Sequence, residues 1–419
     1  MSRIFRPADI LIPVGCDMTK WSVVACDQYS SQPEYWQKVE ELVGDAPSSL
    51  RLMMPEAYLE TKNQFEEAEK INDRMHSYLD RGIFAVLPES YVYVERKLSD
   101  GLIRRGLVGA LDLDAYDYSR DSVSPIRATE GTVETRLPPR VRVREGAELE
   151  MPHIMVFIDD EENTVLDQLE EQKRFLPKIY DFDLCCGGGH IKGWRVHGTA
   201  AEGVDLAIDG LSDSTRLSAR YGGKAPAIFA MGDGNHSLAT AKKCWEQIKP
   251  MLSEAERETH PARFGLVELV NIHDDAIEFE PIHKVVFDTD PAGFVEGAQK
   301  YWDAHKGQGA GRHEMRYLAG GEEKTVVAEG LTLGEVIGLA EEYCQSHMAE
   351  KGGYIDYIHN DDTAIEMGRR PGCCAVLLPK MEKSELFPSI ISSGPFPKKS
   401  FSIGHAEDKR FYLECRKIK

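Results

Sequence analysis

The chain of 419 residues predicts a mixed α/β fold, of the α/β or α+β kind. Short apolar runs of strand character alternate with amphipathic helical segments from one end to the other. Hydrophobic types supply 42 % and charged types 29 % of the residues, the balance of a globular protein with a full core. The length suits two or three domains of roughly 100–200 residues, or one large unit with insertions.

The first helix follows Ser31-Gln32-Pro33-Glu34, where Ser31 and Glu34 have capping-box spacing; Trp36, Val39 and Val43 form its stripe and Gly44 stops it. A longer helix is expected over Thr61 to Arg81, because Phe65, Ala68, Ile71, Met75, Tyr78 and Leu79 recur at helical spacing before Gly82. A β section comes next, with Ile83 to Leu87, then Tyr91 to Val94, a hairpin turn at Asp100-Gly101, and a return through Leu107, Val108 and Leu111. His153 to Ile158 reads as a strand, and a helix runs through Leu166 and Leu169. Strands at Ile179 to Leu184 and Ile191 to Val196 flank Gly187-Gly188-Gly189, which is expected to be a mobile loop. Residues 203–221 read as helical, Ala227 to Met231 as a buried strand, and Leu238, Ala241, Trp245 and Ile248 as one face of a further helix. A strand over Phe264 to Ile272, a compact α/β section over 290–378 and a closing strand near Tyr412 complete the series.

There are 70 acidic and 50 basic side chains, a net charge of −20, which argues against a nucleic-acid binder. Against that background arginines crowd the stretch from Arg127 through Arg136, Arg140 and Arg142 to Arg144, a local reversal of sign suited to an anion. Nine cysteines, with two vicinal pairs and no C-x-x-C, do not make a disulfide framework, so a reduced cytoplasm is expected. Apolar runs fall far short of the roughly 20 residues that span a bilayer, so no membrane partner is expected.

The strongest local signal is Met231-Gly232-Asp233-Gly234-Asn235-His236-Ser237, a strand, turn and helix start. Two glycines let a ligand approach the backbone, and the new helix offers unpaired N–H groups and a positive dipole end. Phosphate is the natural occupant. Asp233 suits a divalent cation or a general base, and His236 suits donation to a phosphoryl oxygen or proton shuttling. The alternative is a D-G turn followed by an ordinary helix cap.

A second constellation is Arg127-Ala128-Thr129-Glu130-Gly131-Thr132, with Arg136 and Arg140 following. Arginines grip phosphate bidentately, and Glu130 among them would be a base or a metal ligand. A solvated charged segment is the competing reading. His283-Lys284 and Lys398-Lys399-Ser400 are two further cationic spots, and Tyr354 to Asp362, a mixed apolar and acidic patch, either faces a metal or is a strand end, the strand end being favoured. No G-x-x-x-x-G-K-[ST], H-E-x-x-H or G-x-S-x-G occurs, and Lys192 stands where a dinucleotide loop would continue the triple glycine.

Taken in order, Ala25-Cys26-Asp27-Gln28-Tyr29, Arg127 to Thr132, Met231 to Ser237, Ile282-His283-Lys284, Asp356-Tyr357-Ile358-His359 and Pro397-Lys398-Lys399-Ser400 resemble the family catalogued as domain of unknown function 1015. The resemblance extends over nearly the whole chain. The commoner form of its turn reads D-G-H-H-R, similar to the phosphate-binding box of the ParB/sulfiredoxin superfamily, which includes kinases acting on free serine. Asn235 stands here where the first histidine is usual, and Ser237 where the arginine is usual. Its role would then pass to Arg127, Arg136 or Lys398.

What the resemblance implies is a ParB/sulfiredoxin-like core with an additional mixed α/β region. The division expected is a phosphate-binding core over 1–250 and a region over 251–419 that contributes to the same cleft. The leading expectation is a cytoplasmic phosphotransferase, a serine kinase or its reverse, using ATP, ADP or pyrophosphate with magnesium. Gly232, Gly234, Asn235 and Ser237 would hold phosphate beside Asp233 as metal ligand. Arg127, Thr132, Arg136, Arg140, His283, Lys284, Lys398, Lys399 and Ser400 would support it, and Glu130 or Asp27 would take the hydroxyl proton. A non-catalytic nucleotide or metabolite sensor and a small phosphate-ester phosphatase are the alternatives. The expected partner is a small molecule, serine or phosphoserine, with a homo-oligomer left open.

Overall fold

A computed structural model describes residues 3–132, 134, 137–222, 225–348 and 353–419. Among these, eleven strands form one mixed sheet. From edge to edge run Tyr116–Asp117, Ile126–Arg127, Phe229–Asp233, Met155–Ile158, Phe264–Asn271, Ile103–Asp112, Phe84–Lys97, His190–Val196 and Lys178–Asp183. Phe5–Arg6 pairs beside Ile103–Asp112, and Ala8–Pro13 beside the first half of Phe84–Lys97. Phe229–Asp233 lies parallel to Ile126–Arg127, and Met155–Ile158 parallel to Phe264–Asn271. Met155–Ile158 and Phe264–Asn271 are buried along their whole length, as expected of apolar runs covered on both faces.

The two strands expected over 83–87 and 91–94 are one strand of 14 residues. Pro88 does not end it. Glu89 takes φ 44° and donates its N–H to Asp9 at 2.9 Å, and the pairing with Ala8–Pro13 shifts register there. The result is a bulge that hands the strand from one ladder to another. The first long helix spans Pro33–Val43 without the expected capping box, because Gln32 is the cap and its side chain makes no capping bond; Pro33 sets the start instead. The helix expected over 203–221 is two, Thr199–Leu211 and Ser214–Tyr221, since the Asp213 side chain caps a fresh start by accepting from Arg216. The triple glycine is a packed turn and not an open lid: a Cβ on Gly188 would lie 2.4 Å from the Phe411 ring, and one on Gly189 2.0 Å from the Lys97 carbonyl.

Five antiparallel strands make a second sheet in the order Glu322–Glu329, Arg312–Ala319, Cys374–Leu377, His283–Phe287 and Tyr354–Ile358. Its core buries Phe294 and Trp302 of the Phe294–Ala304 helix with Val336, Ile337 and Ala340 of Leu333–Ser346. Position 250 lies between two strands of the large sheet, Phe229–Asp233 and Phe264–Asn271, and the strands that follow Asn271 pair outside that sheet.

The chain then returns. Phe401–Ile403 pairs with Phe279–Pro281, and in place of a closing strand at Tyr412 an extended segment bridges Val24 to Phe411 and Leu11 to Cys415. Trp21 Nε1 donates to the Leu413 carbonyl at 3.1 Å, so the last residues complete the N-terminal core. Among the described residues no helix is long and apolar enough to cross a membrane.

Candidate functional site

A cleft of about 530 Å³ opens where the Phe229–Asp233 strand runs into the Asn235–Ile248 helix. The helix is fixed from behind: Leu238, Ala241 and Trp245 are buried, and Ala239 and Cys244 pack on Leu137 and Val141. Gly234, at φ 77°, makes the junction, and a Cβ there would sit 3.0 Å from Ile154 Cα. That combination admits only glycine without strain. Its N–H donates to Asp233 Oδ1 at 2.8 Å, while Asp233 Oδ2 faces Lys409 Nζ at 3.3 Å. Asn235, His236 and Ser237, the first turn, line the cleft with Gly232, and Asn235 Oδ1 is a buried acceptor without a hydrogen-bond partner.

The opposite wall carries Glu130. Its residue bridges to Phe396, and the Thr129 hydroxyl donates to the Met231 carbonyl at 2.6 Å, tying this wall to the strand that bears Asp233. The carboxylate accepts the Ser400 backbone N–H at 3.4 Å. Burial pushes the Glu130 carboxyl up to about 7; the Ser400 N–H works against the rise and Asp233 adds to it.

Asp27 forms a third side. It accepts from Gln28 Nε2 at 3.0 Å and lies 3.7 Å from His153 Nε2, whose Nδ1 contacts the Tyr412 hydroxyl at 2.8 Å. Burial would raise the Asp27 carboxyl, but His153 outweighs it and holds Asp27 below the usual carboxylate range. Burial opposes charge on His153, yet Asp27 and Asp233 keep it above an ordinary imidazole. The depressed Asp27 adds stability above an ordinary carboxyl pKa that is lost as pH falls through its folded value. The raised His153 adds stability below about 6.5 that is lost as pH rises through its folded value. The melting-temperature gap between the protein and Asp27→Asn is therefore expected to be widest between about pH 4 and 6.5 and to narrow on both sides. A scanning-calorimetry series over pH checks this, and a gap that keeps widening above pH 8 contradicts it.

Of the expected residues, Asp27, Glu130, Arg140, Gly232, Asp233, Gly234, Asn235, His236, Ser237 and Lys399 share this cleft. Arg140 is ion-paired with Glu56. Others are placed elsewhere. Arg127 is buried and donates to the carbonyls of Ser124, at 2.9 Å, and Ala225, so it braces the backbone and is not a phosphate clamp. Thr132 lines a different cavity, together with Phe396 and Pro397. His283 is buried, with Nδ1 accepting the Leu378 N–H at 3.1 Å and Nε2 facing Asp361 at 2.8 Å. Lys284 is buried against Glu341 at 2.8 Å, and its ammonium lies 4.9 Å from the Tyr357 ring centre. Both sit in a central strand whose partners satisfy them. Lys398 is exposed off the cleft, and the Ser400 side chain donates to Pro397 at 2.5 Å while only its backbone serves Glu130. Arg136 lies outside the described residues. Of the stretch read as a strand end, Tyr354–Ile358 is a strand, while Asn360 caps a helix over Asp361–Gly368 that takes up Asp361 and Asp362.

Also lining the cleft are His153, Glu280, Ser402, His405 and Lys409, which carry no motif in the sequence, and His359, which ends the landmark Asp356-Tyr357-Ile358-His359. His153 follows a proline into an apolar strand and reads as core. Glu280 lies in Phe279–Pro281 and His359 directly after Tyr354–Ile358, while Ser402, His405 and Lys409 are brought in by the returning chain. Among the described residues no three His, Cys, Asp or Glu side chains gather as a metal cluster. Magnesium needs only one or two carboxylates when phosphates supply the remaining oxygens, and Asp233 and Glu130 meet that minimum.

The model of a family described as "Protein of unknown function (DUF1015)" matches residues 14–345. No curated protein matches the chain. A solved structure described as "Free serine kinase in complex with AMP" is 10 % identical, with a TM-score of 0.36, covering 74 % of this chain and 91 % of that one. A mutant free serine kinase in complex with ADP gives 9 % and 0.37, with the same coverage of 74 % and 91 %. A conserved hypothetical protein from Pyrococcus furiosus gives 11 % and 0.32, covering 72 % and 92 %.

Proposed function

The chain belongs to the DUF1015 family, and from that premise and the chemistry of the cleft we propose that it is a phosphotransferase acting on the hydroxyl of a small molecule. The observation that carries the reading is the Glu130 carboxyl, pushed up to about 7 and facing the first turn of the Asn235–Ile248 helix across the cleft. A base that accepts a hydroxyl proton works best with a pKa near the operating pH. The helix start supplies backbone donors and a positive dipole end for a phosphate. Phosphoryl transfer asks mainly for positioning and charge stabilisation, which such an inventory can supply.

In this reading Glu130 takes the proton of the acceptor hydroxyl as its oxygen bonds to the terminal phosphorus, and the bond from that phosphorus to the bridging oxygen breaks, releasing ADP from ATP, AMP from ADP or phosphate from pyrophosphate. His236 is placed to donate to a phosphoryl oxygen. The donor is ATP, ADP or pyrophosphate, the acceptor serine, and the reverse reaction would consume phosphoserine. Magnesium would arrive with the donor and be held by Asp233, supplying charge neutralisation. A ParB/sulfiredoxin-like relationship of the box, and a cytoplasmic location, belong to the same proposal.

Incubating the full chain with serine, Mg²⁺ and each of ATP, ADP and pyrophosphate is expected to yield phosphoserine with at least one donor. Mass spectrometry reads the product. No phosphoserine with any donor, and no serine from phosphoserine in reverse, rules out the serine assignment.

A further inference from the structure

The cleft faces an anion with four carboxylates, those of Asp27, Glu130, Asp233 and Glu280. Some cation must offset them if a phosphate is to enter. Arg140 is ion-paired with Glu56, and Lys399 is exposed with its ammonium 4.6 Å from the Tyr357 ring centre. Lys409 differs from both. Its side chain is 15 % exposed, lines the cleft, and meets Asp233 Oδ2 at 3.3 Å, immediately before the helix start. An ammonium has three donors and is a compact point charge. Engagement with one carboxylate leaves donors that can turn to a phosphate oxygen.

The backbone beneath Lys409 is held with unusual firmness. Arg96, buried in the large sheet, donates to the carbonyls of Lys409 at 2.5 Å, Glu407 at 2.6 Å and Gly188 at 2.9 Å, and lies over the Phe411 ring at 4.8 Å. Arg104, also buried, donates to the Asp408 carbonyl at 3.0 Å. The Asp408 carboxylate in turn accepts the Ser99 N–H at 2.8 Å and its hydroxyl at 2.6 Å. Three consecutive residues, 407 to 409, are thus fixed by two buried guanidinium groups. Burying such groups is unfavourable; among the described residues their Nε atoms have no hydrogen-bond partner, and three of the four carbonyls that their other nitrogens bond lie in this one short stretch of cleft wall.

We infer that Lys409 is the residue that meets the charge of the bound phosphate, with Asp233 as its partner in the empty cleft and Arg96 as its positioning residue. This rests on the phosphotransferase reading. The cation is supplied by the returning segment and not by the arginine-rich stretch over 127–144.

Calorimetric titration of the full chain with pyrophosphate and with ADP tests both layers. Lys409→Met is expected to weaken binding roughly 10- to 100-fold, the usual loss of a charge-assisted hydrogen bond, and Lys409→Arg to restore most of it. Lys409→Gln serves as a second neutral variant should the methionine variant misfold. Arg96→Lys is expected to weaken binding too, and less than additively with Lys409→Met. Unchanged affinity in folded Lys409→Met or Lys409→Gln overturns the assignment of Lys409 and leaves the phosphotransferase reading standing. Full additivity overturns the positioning role of Arg96. If the unmodified chain binds neither anion, both this inference and the phosphotransferase reading fall.

Discussion

Glu130→Gln is expected to lower phosphoryl transfer by roughly 10²- to 10⁴-fold, the usual worth of a positioned general base, without weakening the binding of pyrophosphate. The amide keeps the shape of the side chain and can no longer take a proton. In the unmodified protein the rate should climb with pH through about 7, because the carboxyl must lose its proton to act. The variant should lack that limb. Stability moves the other way. Since burial raises this carboxyl above its ordinary value, the folded state loses stability as pH rises from the unfolded pKa through the folded one. Glu130→Gln should therefore melt higher than the protein at pH 8 and no differently below about pH 4. Steady-state kinetics and calorimetry over pH provide both readouts, and an unchanged rate with an unchanged pH profile removes Glu130 from the chemistry.

Arg410→Met is expected to destabilise the protein by about 3–5 kcal/mol, the penalty for breaking a buried ion pair by removing one partner. Arg410 is buried and pairs with two buried carboxylates, Glu268 and, at 2.5 Å, Glu414. Glu414 would remain inside without its cation, and Glu268 would keep only the weaker influence of Arg104 and Arg96. The Tyr180 hydroxyl donates to Glu414 at 2.6 Å but brings no charge. Replacing Glu268 and Glu414 by leucine in the same chain should recover most of the loss, because an apolar trio of similar volume is often no less stable than a buried ionic one. Urea midpoints of the single and triple variants measure this. Equal midpoints for Arg410→Met and the unmodified protein would mean that the two carboxylates find water or take up protons at little cost.

Much of the architecture was legible because periodicity records burial. The helices Pro33–Val43, Gln64–Asp80 and Asn235–Ile248 and the apolar run of Phe264–Asn271 lie where their spacing put them, except that Phe65, placed in the stripe of Gln64–Asp80, is exposed. Local signals failed where a neighbour overruled them. Pro88 reads as a break, yet the bulge at Glu89 absorbs it, and Ser31 has capping-box spacing that Pro33 makes unnecessary. The same division runs through the cleft. The turn at Gly234 could be read because a positive φ and a close approach demand glycine. Arg127, His283 and Lys284 were read as ligand-binding because charge in sequence attracts attention, whereas their partners, Ala225, Asp361 and Glu341, lie 57 or more positions away. His153 and Lys409 escaped notice for the opposite reason, since only folding gives them company.

The bridge between Leu11 and Cys415 joins positions near opposite ends of the chain, and the segment just before it delivers Lys409. Closing so long a loop is entropically unfavourable until the contacts that reward it are in place. The lysine side of the pocket therefore depends on the docking of this returning segment. A molecule that has built both sheets but not yet seated its tail would keep His153 beside Asp27 but hold Asp233 without its lysine, and would bind phosphate less well than the complete fold.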